Sequence, residues 1–222
     1  MIKFWHRVKL RDGTYTDGAK DIEASLGDHL FNDLDFKDKS VLDVGCWDGA
    51  YSFLAEQRGA SRVVSFDRPS CRWGGTGGYE FLHEHFNSKA EFKDGNIYQL
   101  PFQSKEFDIV LCYGVLYHMS DPLMALQKLF PVAKTTIAFE GLFSTQLLPS
   151  LELRTPIILK NARDSSVIYV PSQSFMEITA GYQGFKLRKV TTLVRRVGRM
   201  AMIFDRVSEP IFQFPNKVFP SD

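Results

Sequence analysis

Three observations on this 222-residue chain predict an α/β fold with a mostly parallel sheet, helices on both faces and a C-terminal antiparallel hairpin. From residue 40 onward, apolar runs of strand length alternate with segments of helical spacing, the signature of strand-helix-strand units. The runs SVLDV, SRVVSF and FDIVLCYG are continuously apolar, as expected of parallel strands covered on both faces. The last long apolar segment, KLRKVTTLVRRVGRMAMIF, reads as two strands around a short turn, and so as a hairpin at the end of the sheet.

Each element follows from local pattern. Residues 1–35 read as an N-terminal arm and helix: FWHRVKLRDGTYTDG mixes aromatic, basic and turn residues, and DIEASLGDHLFNDL has apolar residues near helical spacing. Residues 36–207 read as the main domain. It begins with strand SVLDV, helix DGAYSFLAEQRGA, strand SRVVSF, loop DRPSCRWGGTGG, helix YEFLHEHFN and strand AEFKD. Strand FDIVLCYG, helix DPLMALQKLFP and strand TTIAFEG follow, then a connector (143–170), a helix near SQSFMEITAGY and the hairpin. Residues 208–222 form a Pro-containing tail.

Hydrophobic residues at 44% and charged residues at 24% are globular values and exclude a largely disordered chain. Twenty-seven basic against 26 acidic residues leave a net charge of +1, which excludes a global electrostatic footprint for nucleic acid. Arg195, Arg196 and Arg199 form a dense basic cluster. Cys46, Cys71 and Cys112 have neither CxxC nor disulfide-framework spacing, which fits a reducing compartment. The opening MIKFWHRVKLRDG lacks the apolar core of a signal peptide, and no run of about 18 apolar residues offers a membrane span. A cytoplasmic protein is expected. His83 and His85, two apart on a helix, face different sides, so no metal site is expected.

In an open α/β sheet, ligands bind beyond the carboxyl ends of the strands, where the strand order reverses. The chemically distinctive residues fall there. Asp43 ends the first core strand, Gly45 and Gly49 bracket a turn, and a helix starts near Asp48. Asp67, 24 positions after Asp43, ends the second strand, where a carboxylate can take both hydroxyls of a ribose. Asn96 offers a side-chain oxygen to an adenine amino group, with Ile97 as an apolar lid. The segment FDIVLCYGVLYHMSDP places Tyr113, Gly114, Tyr117 and His118 at the end of the fourth strand.

On DVGCWDG, VVSFD and FDIVLCYGVLYHMSDP the chain resembles the class I S-adenosylmethionine-dependent methyltransferases, whose Rossmann-like sheet also ends in an antiparallel hairpin. The resemblance implies S-adenosyl-L-methionine as cofactor. It implies that Asp43, Gly45, Gly49, Asp67, Asn96 and Ile97 bind it; Trp47, Tyr113 and Gly114, at the same strand ends, are read from their positions as further donor-binding residues. GVLYH, YVPS and the Arg of VGRMAMIF are similar to the transferases that carboxymethylate wobble uridine in tRNA and to their methyltransferase relatives. In those tRNA enzymes the Arg matching Arg199 binds the extra carboxylate of a carboxylated donor; read as sequence alone, an Arg beginning a terminal strand is a solvated charge. We find in the arm no counterpart of their Trp- and Lys-rich donor-binding segment.

The expected activity is methyl transfer from S-adenosylmethionine to an oxygen, nitrogen or carbon nucleophile. His118 is the candidate general base and Tyr117 its catalytic neighbour, although methyl transfer from a sulfonium can run on alignment alone. The acceptor stays open between a small molecule and tRNA, its pocket drawn from His6, Arg7, Tyr15, the loop 68–78 and the connector. The alternatives are carboxymethyl transfer to tRNA and a non-catalytic nucleotide-binding scaffold. Trp47 bears on the last: it stands where this family's loop has its middle glycine, and its indole either blocks the loop or lines the pocket near a cationic sulfonium.

Overall fold

The computed structural model describes residues 2–71, 74–153, 166–192 and 198–207. Its chain enters through two short parallel strands, β1 (His6–Arg7) and β2 (Lys20–Asp21), followed by α1 (Ile22–Ser25). The main run is β3 (Ser40–Val44), α2 (Ala50–Gln57), β4 (Arg62–Asp67), α3 (Gly77–Phe86) and β5 (Glu91–Asp94). It continues through β6 (Phe107–Tyr113), α4 (Pro122–Val132) and β7 (Ala133–Leu142). A two-stranded antiparallel ribbon, β8 (Leu151–Leu153) with β9 (Tyr169–Pro171), leads to α5 (Gln173–Tyr182). The described chain closes with β10 (Phe185–Thr192) and β11 (Arg199–Arg206).

Seven strands form one sheet in the order β10-β11-β7-β6-β3-β4-β5. β7, β6, β3, β4 and β5 are mutually parallel, and β11 runs antiparallel to both β7 and β10. The strand order reverses between β3 and β6, which places a crevice at their carboxyl ends. This is the expected sheet with its terminal hairpin. Among the described residues, no helix is long and apolar enough to cross a membrane.

Two apolar layers sandwich the sheet. On one face Leu126 and Leu129 of α4 and Met176 and Ala180 of α5 pack on Val110, Phe139 and Phe204. On the other, Phe53 of α2, Leu82 of α3 and Phe31 pack on Val41, Leu111 and Ile203. Alternate residues of each strand thus serve opposite faces. Asp121 caps α4 by accepting from Met124 N, and Pro122 sits at the first helical turn, where its missing N–H costs nothing.

Two local expectations are corrected. The segment DIEASLGDHLFNDL is not one helix: α1 stops after four residues, and Phe31–Asp33 form a separate 3-10 turn. Gly27 disfavours continuation, and Leu30 turns left-handed (φ 57°), which delivers His29 to the sheet. α2 begins at Ala50, not Asp48, because Gly49 is left-handed (φ 80°). Arg195, Arg196 and the tail 208–222 lie outside the described residues, as do parts of the connector and of the loop 68–78.

Candidate functional site

The turn after β3 is built from left-handed backbone. Gly45, Trp47 and Gly49 have φ of 74°, 52° and 80°. Gly45 is required twice over, since a Cβ there would lie 2.2 Å from Val115 Cγ2, in the loop after β6. Trp47 pays about 1–2 kcal/mol for adopting a left-handed conformation with a side chain. Its N–H donates to Asp67 Oδ2 at 2.7 Å, which offsets part of that cost. The same carboxylate accepts from Arg68 N at 2.6 Å. Trp47 and Asp67 are therefore one unit, joining the ends of β3 and β4.

The other residues singled out by sequence gather around this unit. The β4-β5 register pairs Asp67 with Asp94, and Gly95 N donates to Asp67 O at 3.0 Å, so Asn96 and Ile97 follow directly. Asn96 Oδ1 caps the turn Ile97–Gln99 by accepting from Tyr98 N. Tyr98 Oη accepts from Asp121 N at 2.9 Å and closes that side of the crevice. Gly114 (φ 75°) donates its N–H to Glu140 O. Asp43 is buried below the loop. Its carboxylate accepts from Ser52 Oγ at 2.6 Å, and Ser65 and Tyr79 extend the chain of hydroxyls.

Tyr117 and His118 sit on a 3-10 turn, their rings 4.1 Å apart by centroid. His118 Nδ1 lies 3.1 Å from the Ser166 carbonyl and 2.9 Å from its hydroxyl. A neutral imidazole donating through Nδ1 to that carbonyl carries its lone pair on Nε2. Tyr113 is buried, and its hydroxyl has no hydrogen-bond partner among the described residues.

Sequence reading missed two buried carboxylates. Asp48 accepts from Trp5 N (2.8 Å) and His6 N (2.9 Å) and is bonded to His6 Nδ1. His6, expected in an acceptor pocket, is buried in this contact. Arg7 instead binds Asp21 at 2.7 Å and lies over the Tyr15 ring. Burial pushes the Asp48 carboxyl up, but His6 and the two amides outweigh it and hold it below its ordinary value.

Glu140, on β7, is the second. Arg199 binds its Oε1 through Nη2 (2.6 Å) and Nε (2.8 Å), and Lys20 of the arm approaches Oε2 at 3.4 Å. Burial would raise the Glu140 carboxyl; Lys20, His29 and Arg199 bring it down to about 2. Burial drives His29 down to about 3, so at neutral pH it faces Glu140 uncharged and the cations are Lys20 and Arg199. Arg199 is thus no solvated charge. Antiparallel pairing of β11 with β7 sets it beside Glu140, and its guanidinium lies 5.6 Å from the Tyr117 ring centre. The signal for Glu140 was present: a lone carboxylate inside the apolar strand TTIAFEG requires a partner.

Among the described residues no group of His, Cys, Asp and Glu side chains is arranged to hold a metal ion. The donor set suits an adenosine-containing cation instead. The Asp67 carboxylate, at the carboxyl end of β4, is an acceptor group of the kind that hydroxyls such as those of a ribose bind. The loop from Gly45 to Gly49 carries left-handed backbone at Gly45, Trp47 and Gly49, and the Tyr113 hydroxyl is a buried donor with no acceptor among the described residues.

Residues 42–136 match the model of a methyltransferase domain. The tRNA U34 carboxymethyltransferase of Helicobacter pylori (strain G27) is 30% identical over 172 residues, covering 76% of this chain and 64% of that protein. Its counterpart in Nautilia profundicola is 35% identical over 96 residues, 43% of this chain and 31% of that protein. The chain thus spans about one third to two thirds of the length of these curated relatives. Magnesium protoporphyrin IX methyltransferase from Synechocystis, solved with bound S-adenosylhomocysteine, superposes with a TM-score of 0.61 at 19% identity, over 80% of this chain and 78% of that one. The 1,6-didemethyltoxoflavin-N1-methyltransferase of Burkholderia thailandensis gives 0.62 at 14% identity, over 84% and 78%.

Proposed function

We propose that this chain, which has the class I methyltransferase fold and resembles the tRNA-modifying branch of those enzymes, transfers a methyl group from S-adenosylmethionine to an oxygen, nitrogen or carbon nucleophile. The observation that carries the reading is the Trp47–Asp67 unit at the topological switch of the sheet, with Asn96, Ile97, Tyr113 and Gly114 on adjacent strand ends. The bound donor supplies a methyl group activated on a positively charged sulfur.

The chain supplies binding and alignment. Asp67 holds the ribose hydroxyls, Asn96 and Ile97 flank the adenine, and the amides of residues 45–49 border the rest of the donor. Tyr113 and Tyr117 exclude water from the reacting end. Alignment of this kind lowers a displacement barrier by about 7–11 kcal/mol without a base. Where the acceptor carries a proton, His118 holds it at Nε2, with Nδ1 fixed by Ser166. The test is mass spectrometry of the ligand retained on purification, followed by label transfer from methyl-labelled donor to candidate acceptors. Retained S-adenosylmethionine or its demethylated product supports the reading; a retained dinucleotide contradicts it.

A second reading, carboxymethyl transfer to tRNA, is favoured by one observation. Glu140 is a buried carboxylate approached by two cations, Arg199 and Lys20, with the Arg199 guanidinium beside the Tyr117 ring. Such a site suits a donor bearing an additional carboxylate, and Lys20 shows that the arm does contribute a cation. Competitive titration with S-adenosylmethionine and its carboxylated form separates the two readings.

A further inference from the structure

The arm is fastened to the cofactor loop by more than apolar packing. Asp48, between Trp47 and Gly49, takes both main-chain N–H groups of Trp5 and His6 and the His6 ring. Gly18 permits this route, since a Cβ there would fall 2.1 Å from the His6 carbonyl carbon. Gly78, at the start of α3, brings its backbone to the other side of the strap: a Cβ would lie 3.1 Å from Lys3 O and 3.2 Å from Asp48 Cβ. The strap is clamped between the glycine loop and α3.

What the clamp presents is an aromatic corner. The rings of Trp5 and Trp47 have centroids 6.1 Å apart and planes inclined at 49°. Trp5 remains 40% exposed although its backbone is pinned, and its ring lies against Trp47 of the glycine loop. Trp47 is half-buried and sits on the strained turn bonded to Asp67. Among the described residues, neither ring belongs to the two apolar layers that sandwich the sheet. Two indole faces set at an angle are a recognition device for a soft cation.

Resting on the methyltransferase reading, we propose that Trp5 completes the donor site: with Trp47 it forms an aromatic corner that recognises the sulfonium charge, and Asp48 is the positioning residue that holds the corner through the strap. The corner discriminates between the cationic donor and its neutral product. Charged S-adenosylmethionine gains from both ring faces, whereas S-adenosylhomocysteine keeps the ribose and adenine contacts and loses the cation–π component. Product release is eased by the same loss.

The test is calorimetric titration of wild type, Trp5→Leu, Trp5→Tyr, Trp47→Leu and Asp48→Asn with S-adenosylmethionine and S-adenosylhomocysteine. The quantity read is the ratio of the two affinities. Wild type should prefer the cationic ligand, and Trp5→Leu and Trp47→Leu should each lower that ratio by about fivefold, the size of one cation–π contact. Affinity for S-adenosylhomocysteine should change by less than about twofold in Trp5→Leu. Trp5→Tyr should restore most of the ratio, and Asp48→Asn should reproduce the loss with both indoles present. A ratio unchanged in both leucine variants, with both ligands still bound, overturns the corner while leaving the donor site standing. Wild-type protein that binds neither ligand overturns the methyltransferase reading and this inference together.

Discussion

Asp48 and His6, 42 positions apart in the chain, are buried against each other, with the Asp48 carboxylate also holding the backbone of Trp5 and His6. The contact makes the N-terminal arm part of the domain and fixes one wall of the crevice.

Asp48→Ala should therefore destabilise the whole domain, by about 3–5 kcal/mol, because the buried His6 N–H and ring and the part-buried Trp5 N–H lose their acceptor. Urea unfolding monitored by circular dichroism measures it. A loss under about 1 kcal/mol would mean that the arm is attached by its apolar contacts alone.

Glu140 sets a pH window. Its carboxyl is at about 2 in the folded chain against an ordinary value of 4.5. A carboxyl lowered on folding contributes stability that is fully present above its unfolded value and is lost as pH falls through the folded one. Melting temperature should decline from about pH 5 towards pH 2, with Asp48 acting in the same direction. Glu140→Gln should flatten the Glu140 part of that decline. At neutral pH it should lower stability by about 3 kcal/mol, because the largely buried Arg199 loses the carboxylate it is bonded to. Identical acid profiles for variant and wild type would refute the assignment.

Gly45→Ala should fail in two ways, through a left-handed φ of 74° and a Cβ 2.2 Å from Val115 Cγ2. Donor affinity should drop at least tenfold, about 1.4 kcal/mol, with a fall in melting temperature. Normal affinity in this variant would show that the loop is not held against the end of β6.

Trp47→Gly separates strain from function. Glycine relieves the left-handed backbone, a gain of about 1 kcal/mol, but removes the indole from Trp5. Affinity for S-adenosylmethionine should fall by about fivefold, as in Trp47→Leu, even though the N–H to Asp67 is retained. A tenfold gain would identify the indole as an obstruction.

The parts of this architecture visible in the sequence are those encoded by neighbours in the chain. SVLDV, SRVVSF and FDIVLCYG are strands whose central side chains are buried on both faces, and Pro122 after Asp121 marks the start of α4. Asp67 and the glycine turn were legible because strand ends and left-handed positions have local signatures. The segment 21–34 misled because its apolar spacing serves a turning loop: Ile22, Leu30, Phe31 and Leu34 are all buried without one helix joining them. Lys20 and Glu140 are separated by 120 positions, and Arg199 meets Glu140 only through the antiparallel pairing of β11. No local pattern carries such contacts, so Arg199 read as solvated and His6 as a pocket residue.

The most direct measurement is calorimetric titration of S-adenosylmethionine into wild-type protein and Asp67→Ala. Charged hydrogen bonds from a carboxylate to ribose hydroxyls contribute about 1.5–3 kcal/mol each. Wild type should bind at one site per chain, and Asp67→Ala should bind at least tenfold more weakly while keeping its melting temperature within a few degrees. Wild-type protein that binds no S-adenosylmethionine, or an Asp67→Ala variant with unchanged affinity, would contradict the assignment of the donor site to the Trp47–Asp67 unit.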